Sequence, residues 1–189
     1  MSSSSETRRI LRRLKPSEPR TRLQYRQRSE LPFIGDASSI PKLLLDSTVY
    51  IDELQGRLHP DVELAIRSAS LWHSTVTECE LSAVAGLLSP DHPGTSHAIH
   101  QVFASIERRP SHRILNPDRE VWRDAGIIAG LLARLQQYGK ADQRKVLNDA
   151  LILLSAAKAG LTVLTRNISD FDLLMQLVPR ASVLFYDRE

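Results

Sequence analysis

Four acidic side chains, far apart in the chain, stand at positions where a carboxylate could bind a cation or transfer a proton. Asp46 directly follows the apolar run Leu43–Leu45, and Asp170 opens a helix after a second apolar run. Glu80 and Asp149 each lie in line with apolar residues at i+3, i+4 and i+7, which predicts that both are on a buried helix face. A carboxylate there costs free energy unless a cation or hydrogen bonds offset its charge.

Each of these acids also has a purely structural alternative. Glu80 and Glu78 both fit capping boxes, in which the side chain reaches back to a backbone N–H; we assign Glu78 to capping and Glu80 to the site. Asp170 could simply favour the positive end of its helix, with Ser169 as the N-cap, and Asp149 could be an early-turn acid. Three other acids are predicted on polar faces or loops at the surface: Asp52, Asp61 and Asp91.

The elements that position the four acids alternate between short apolar runs and longer helical patterns. The predicted strands are Lys42–Leu45, Leu71–Ser74, Arg113–Leu115, Leu161–Thr165 and Ala181–Phe185, the last as an edge strand. The predicted helical segments are Tyr50–Gln55, Pro60–Ser68, Val76–Leu88, Ser96–Glu107, Val121–Gln137 and Val146–Ala159. Gly139 is predicted to end the helix Val121–Gln137, and Gly160 is predicted to end the helix Val146–Ala159.

Strands separated by helices predict an α/β fold with a parallel sheet covered by helices. In such a fold the carboxyl ends of the strands share one edge, where ligands bind. We therefore expect the four acids to meet there. Two charges about 5 Å apart repel by about 3 kcal/mol at an effective dielectric of about 20. The cluster would then need Mg²⁺ or Mn²⁺, or raised pKa values, to be stable.

Composition excludes several other classes of protein. The 189 residues, 42% of them hydrophobic, suit one domain, and the single cysteine excludes an internal disulfide. That residue, Cys79, is expected to be a small buried helix residue. The chain has no HExxH pattern, glycine-rich phosphate loop or GxSxG motif, and Asp46 lacks the Asp-x-Asp spacing of an aspartyl-phosphate phosphatase. Without a long apolar run or a secretory signal, we expect a soluble, cytoplasmic protein that does not enter membranes.

Charge is unevenly distributed along the chain. Residues 1–28 contain nine basic and two acidic groups, a net charge of +7, so the remainder carries −4 of the overall +3. We interpret residues 1–40 as a basic, disordered arm and linker, and residues 41–189 as the folded domain. Such an arm binds phosphate backbones through charge, although a solubilising tail is the alternative. The candidate phosphate ligands in the arm are Arg8, Arg9, Arg12 and Arg13.

Three stretches of the chain together resemble a known family. The motifs LLLDSTVYI, STVTECEL and LNDALILLSAAKAGLTVLTRNISDF resemble those of the PIN-domain ribonucleases, especially the VapC-type toxins of bacterial toxin–antitoxin pairs. The resemblance extends from Leu43 to Phe185, and its last motif is the most specific. The chain departs from the usual Asp-Thr opening, since Ser47 follows Asp46 and Thr48 comes next. The basic arm is not part of the common pattern.

The resemblance implies a three-layer α/β/α fold and hydrolysis of RNA phosphodiester bonds with Mg²⁺ or Mn²⁺ as the cofactor. It implies that Asp46, Glu80, Asp149 and Asp170 are catalytic and bind the metal. It further implies a supporting role for the hydroxyl and amide groups of Ser47, Thr48, Thr165 and Asn167. Arg166 and the arm are candidates for RNA contact, and the implied protein partners are a second copy in a homodimer and a cognate antitoxin. The rival hypothesis is a non-catalytic nucleic-acid-binding module with a degenerate acidic site.

Overall fold

The computed structural model describes residues 8, 9, 12, 22–36 and 42–188, apart from the side chain at position 141. Within residues 42–188, five strands form one sheet in the order β3-β2-β1-β4-β5, and every neighbouring pair is parallel. The strands are β1 (Leu43–Leu45), β2 (Leu71–Ser74), β3 (Ile114–Leu115), β4 (Thr162–Thr165) and β5 (Ser182–Phe185). This confirms the predicted α/β class with its parallel sheet.

Seven α-helices connect and cover these strands within residues 42–188. They are α1 (Ser47–Leu54), α2 (Pro60–Ser68), α3 (Thr75–Leu87), α4 (Thr95–Glu107), α5 (Arg119–Gln136), α6 (Lys140–Ala159) and α7 (Ile168–Leu177). Short 3-10 helices cover Arg28–Glu30, Ile34–Asp36 and Ser111–Arg113. None of the helices among the described residues has both the length and the apolar character that crossing a membrane requires.

The three leucines of β1 explain why helices pack on both faces of the sheet. Side chains alternate along a strand, so Leu44 faces the opposite side from Leu43 and Leu45. Leu44 packs in a core with α5, α6 and α7, whereas Leu43 and Leu45 pack in a second core with α1, α2 and α4. All three are at most 3% exposed, so the middle strand is buried on both faces. The result is the predicted three-layer α/β/α arrangement.

Helix α6 begins six residues before the predicted start at Val146. Its first two turns, Lys140–Lys145, have no buried side chain among the described residues, so hydrophobic periodicity gave no signal for them. The helix ends where predicted, because Gly160 adopts the left-handed conformation at φ +67°. The end of α5 lies one residue before the predicted Gln137, and the predicted stop at Gly139 was wrong, because Gln137 itself adopts the left-handed conformation at φ +60°.

Residues 22–36, which the sequence analysis assigned to a disordered arm, lie against the domain. Arg26 donates to the buried Asp172 of α7 through its side-chain Nε at 2.6 Å and its backbone N–H at 2.9 Å. Further along, the carbonyl of Pro32 accepts a hydrogen bond of 2.9 Å from the N–H of Phe185, so the segment covers the edge of β5. We call residues 22–36 the docked segment.

The rest of the predicted arm is only partly described. Arg8, Arg9 and Arg12 are exposed, while Arg13 lies outside the described residues. The prediction for Cys79 was wrong: its side chain is exposed on α3. A cysteine in an amphipathic helix gives little sign of which face it occupies, because its size and polarity are compatible with either.

Candidate active site

Asp46 joins β1 to α1 at the carboxyl edge of the sheet. Its backbone is extended (φ −76°, ψ 161°), and its side chain accepts from the N–H of Thr48, which makes it the N-cap of α1. The same oxygen, Oδ2, accepts from the hydroxyls of Thr48 and Thr165, each at 2.7 Å. The other oxygen, Oδ1, is buried and has no hydrogen-bond partner within the described part of the chain.

Asp149 enters the site from the buried face of α6, as its apolar neighbours predict. It is only 4% exposed, and its Oδ2 accepts from Nδ2 of Asn167 at 3.1 Å. Burial raises the pKa of the Asp149 carboxyl well above its usual range, and the charges of Asp46, Asp170 and Glu80 raise it further. The rise indicates that the four acidic groups are close enough to interact.

Glu80 comes from α3, on the other side of the same edge. Its Oε1 accepts from Nδ2 of Asn148 at 2.9 Å, whereas its Oε2 is buried without a hydrogen-bond partner among the described residues. Burial raises the pKa of Glu80, and the charge of Asp46 adds to that effect. A second carboxylate of the cluster therefore has an oxygen without a donor.

Asp170 lies in the first turn of α7 and forms an ion pair with Lys145. Its Oδ2 is 2.9 Å from Nζ of Lys145 and accepts from Nδ2 of Asn167 at 3.0 Å. Because the Asn167 amide also donates to Asp149, it joins the two carboxylates. The predicted N-cap, Ser169, was wrong: Asn167 is the N-cap and its Oδ1 accepts from the backbone N–H of Asp170.

Asp46, Glu80 and Asp149 line a cleft of about 490 Å³ at the carboxyl edge of the sheet, and Asp170 adjoins it through its contacts with Lys145 and Asn167. Its lining residues are Asp46, Ser47, Thr48, Glu80, Lys145, Asp149, Arg166, Asn167, Ile168 and Ser169. A larger cavity of about 700 Å³ lies between the docked segment and α2, but none of the four acids lines it. We place the candidate site in the smaller cleft, because that is where carboxylates with raised pKa values converge.

The donor chemistry of the cleft fits a hard divalent cation. Carboxylate oxygens are the ligands that Mg²⁺ and Mn²⁺ prefer, and Asp46 and Glu80 each have one buried oxygen without a partner in the described part of the chain. No group of three acidic, histidine or cysteine side chains among the described residues is already arranged to hold a metal ion. Lys145 and the Asn167 amide supply the positive charge and the donors that hold the acids in the present arrangement.

Asp52 was wrongly predicted at the surface. It is fully buried on α1, where its carboxylate receives Nε of Arg166 at 2.6 Å, Nε of Arg188 at 3.0 Å and the hydroxyl of Tyr186 at 2.9 Å. These partners lie more than 110 residues away in the chain, so no local pattern could have revealed them. The ion pair fixes the guanidinium of Arg166 at the border of the cleft.

Two further side chains of the site were missed, and one capping assignment was wrong. Lys145 lies one helical turn before Asp149, and Asn148 is the residue directly before it. This proximity could have identified both residues once Asp149 was placed in the site. Ser74 is the N-cap of α3, and Glu78 does not cap it; Glu78 instead lies 3.5 Å from the buried Arg109. The capping-box spacing therefore pointed to the wrong pair of residues.

A comparison with protein-family models matches residues 43–172 to the PIN domain. The chain belongs to the PIN domain family. The match includes all four acids of the cleft, and it leaves the docked segment and β5 of this PIN domain outside its limits. A comparison of the sequence with curated proteins gives no match.

Solved structures with a similar fold include three complexes, each at most 22% identical to this PIN domain. FitAB bound to an IR36 DNA fragment is 22% identical, covers 76% of this chain and 94% of its own, and has a TM-score of 0.53. VapBC2 from Rickettsia felis, bound to a DNA fragment from its promoter, is 18% identical, covers 77% and 98%, and has a TM-score of 0.50. DNA-bound VapBC from Salmonella typhimurium is 22% identical, covers 75% and 96%, and also has a TM-score of 0.50. At these identities the likeness concerns the fold.

Proposed function

We propose that this PIN domain protein is a Mg²⁺- or Mn²⁺-dependent endoribonuclease that hydrolyses RNA phosphodiester bonds. The observation that carries the proposal is the convergence of acids from four different parts of the chain: Asp46, Glu80 and Asp149 line one cleft, and Asp170 contacts its lining residues Lys145 and Asn167. Two of these carboxylates have a buried oxygen without a partner among the described residues. Carboxylates held this close together favour a divalent cation between them.

Asp46 and Asp149 are the residues that would hold the cation most directly, with Glu80 and Asp170 completing its surroundings. When bound, a divalent ion polarises the phosphoryl oxygen, lowers the pKa of the attacking water and stabilises the leaving oxygen. The hydroxyls of Thr48 and Thr165 fix one oxygen of Asp46, and so leave the other for the cation.

The remaining side chains of the cleft orient the acids and the substrate. The Asn167 amide spaces Asp149 from Asp170 by donating to both. Ser47 lines the cleft beside Asp46 and offers a hydroxyl to a phosphate oxygen. The guanidinium of Arg166, held by the buried Asp52, offers positive charge at the border of an acidic cleft that would otherwise repel RNA.

We further propose that the protein is the toxin of a type II toxin–antitoxin pair. The resemblance of its motifs to VapC-type toxins supports this role, as does the similarity of its fold to the VapBC and FitAB structures. By that proposal a cognate antitoxin protein blocks the cleft, and the toxin forms a homodimer. The exposed arginines of the arm, Arg8, Arg9 and Arg12, contribute to RNA binding together with Arg13.

The test is cleavage of a structured RNA by protein stripped of metal and then supplied with Mn²⁺ or Mg²⁺. We expect Asp46→Asn and Asp149→Asn to lower the cleavage rate by about a hundredfold or more, the order seen when a charge-stabilising group is removed from an active site. Asp61→Asn is the matched control, because Asp61 is exposed and lies outside the cleft. It should cleave at the rate of the parent.

Induction of the same variants in a bacterial host supplies a second measurement. Mapping of cleaved ends on total RNA should give sites with the parent protein that are absent with Asp46→Asn. Equal cleavage by the parent and Asp46→Asn would contradict the assignment. RNA binding without any metal-dependent cleavage by the parent would favour the non-catalytic nucleic-acid-binding module.

A further inference from the structure

A positively charged side chain, Lys145, lines the acidic cleft. Lys145 lies on α6 one turn before Asp149, and its Nζ is 2.9 Å from Oδ2 of Asp170. Partial burial by itself would lower the pKa of Lys145, but its hydrogen bond to Asp170 and the charges of Asp170, Asp149 and Asp46 outweigh this and raise it. The ammonium group therefore interacts with three of the four carboxylates of the cleft.

Lys145 differs from the other cation at the cleft in its freedom to move. Arg166 is tied to the buried carboxylate of Asp52, with its Nε 2.6 Å from Oδ2. The side chain of Lys145 is 59% exposed and contacts Asp170 through the end of a flexible four-carbon stem. It can move away from Asp170 at little cost in packing, whereas release of Arg166 removes one ion partner from the buried carboxylate of Asp52.

A lysine ammonium and a divalent cation favour the same carboxylates and repel each other. Asp170 Oδ2 already receives Lys145 and the Asn167 amide, so a cation that binds this oxygen competes with Lys145 for it. While Lys145 remains, it also weakens the negative potential that draws a cation into the cleft. Occupation by one therefore opposes occupation by the other.

We propose that Lys145 is a built-in competitor for the divalent cation: it neutralises the acids in the metal-free protein and must release Asp170 when the metal binds. The inference rests on the proposed function, because it takes the acidic cleft as the metal site. Lys145 thereby sets the concentration of Mg²⁺ or Mn²⁺ at which the site fills.

The test is calorimetric titration of metal-stripped protein with MnCl₂ and MgCl₂, which measures binding without RNA or turnover. We expect Lys145→Met to lower the dissociation constant about five- to tenfold relative to the parent, the range for loss of a half-exposed charge pair together with its repulsion of the ion. Lys145→Arg keeps the charge and should bind about as weakly as the parent. Arg144→Met is the matched control, since it removes the same charge from the neighbouring exposed position of α6.

The outcomes separate this inference from the proposed function. If the parent binds cation and Lys145→Met binds it no more tightly than Arg144→Met does, the competition is refuted while the metal site stands. If the parent binds neither Mn²⁺ nor Mg²⁺, both the inference and the proposed function fail. Thermal unfolding of each variant with and without MnCl₂ gives a second readout, in which Lys145→Met should show the larger rise in Tm on addition of metal.

Discussion

The two oxygens of Asp46 have opposite surroundings. Oδ2 is held by two threonine hydroxyls and one backbone N–H, while Oδ1 has no partner within the described residues. A buried carboxylate oxygen without a donor costs free energy in the isolated protein. Glu80 repeats the pattern with its Oε2. These two unpaired oxygens destabilise the isolated protein, and a cation that binds them offsets that cost.

The raised pKa of Asp149 predicts how the stability of the metal-free protein depends on pH. Between the usual carboxyl value and the raised value, the folded state holds a proton that the unfolded state has lost. The free energy of unfolding therefore falls as pH rises through this window. Asp149→Asn has no proton to lose, so we expect it to be more stable than the parent at pH 8, with the difference shrinking towards pH 4.

Chemical denaturation in EDTA at several pH values measures this difference. The control is Asp142→Asn, an exposed acid on the same helix, which should follow the parent at every pH. A difference between Asp149→Asn and the parent that does not change with pH would contradict a raised pKa at this position.

Among the secondary-structure elements, α6 contributes most to both the core and the cleft. Its buried stripe includes Ile152 and Leu153 in the core with α5 and α7, while Asp149 lies in line with that stripe at the carboxyl edge of the sheet. Asn148 and Lys145 extend the polar end of the same face. The packing that buries the stripe thus also fixes where these polar groups meet the acids of other elements.

The buried carboxylate of Asp172 on α7 binds the docked segment, and Gln176 of the same helix donates to the carbonyl of Gln24 at 3.0 Å. Arg26→Ala removes the ion partner of Asp172, which is 1% exposed, and among the described residues leaves it the Arg26 backbone N–H and a 3.3 Å hydrogen bond from Gln176. We expect a decrease of about 2 kcal/mol in the free energy of unfolding, because a buried charge loses its ion partner. Chemical denaturation measures the decrease, and limited proteolysis should cut the freed segment faster.

Arg22→Ala is the control for the docked segment. Its guanidinium donates at 2.8 Å to the exposed Gln137, a hydrogen bond of little net value in water. If Arg26→Ala costs no more than Arg22→Ala, the ion pair with Asp172 does not hold the segment in place.

For the whole molecule, the separation of charge along the chain provides a test of the proposed RNA binding. Residues 1–21 contain six basic groups and precede the docked segment, whose Arg22 lies at the end of α5. If the arm binds phosphates, deletion of residues 1–21 should flatten the dependence of log K on log salt, by about 0.7 for each phosphate of a single-stranded RNA that the arm neutralises. Fluorescence anisotropy at several salt concentrations, with Asp46→Asn used to prevent cleavage, measures the slope.

A charge-only variant separates the effect of charge from that of chain length. Replacing Arg8, Arg9, Arg12 and Arg13 with glutamine keeps the arm intact and should reproduce most of the flattening. An unchanged slope in both proteins would remove the arm from RNA binding and leave it with a solubilising role.

Local sequence patterns were sufficient to predict the strands, most of the helices and the carboxyl edge of the sheet at which the acids meet. Apolar runs such as Leu43–Leu45 report burial directly, and Gly160 ends α6 because it tolerates the left-handed conformation. The carboxylates of Asp46 and Asp149 were found because an acid beside buried residues departs from the periodicity around it. These signals depend on residues within about two turns of one another, and so can be read without the fold.

Only the tertiary structure shows that Lys145 and the Asn167 amide contact the acids of the site. It also decides whether a polar residue with no local sequence signal is buried or exposed. Asp52 resembles a surface residue until Arg166, Tyr186 and Arg188 surround it. The docked segment has the composition of a disordered arm, and its order comes from burial against α7 and β5. Such ion pairs and hydrogen bonds join residues more than 100 positions apart, and their free energy depends on burial that exists only after the sheet and helices have packed.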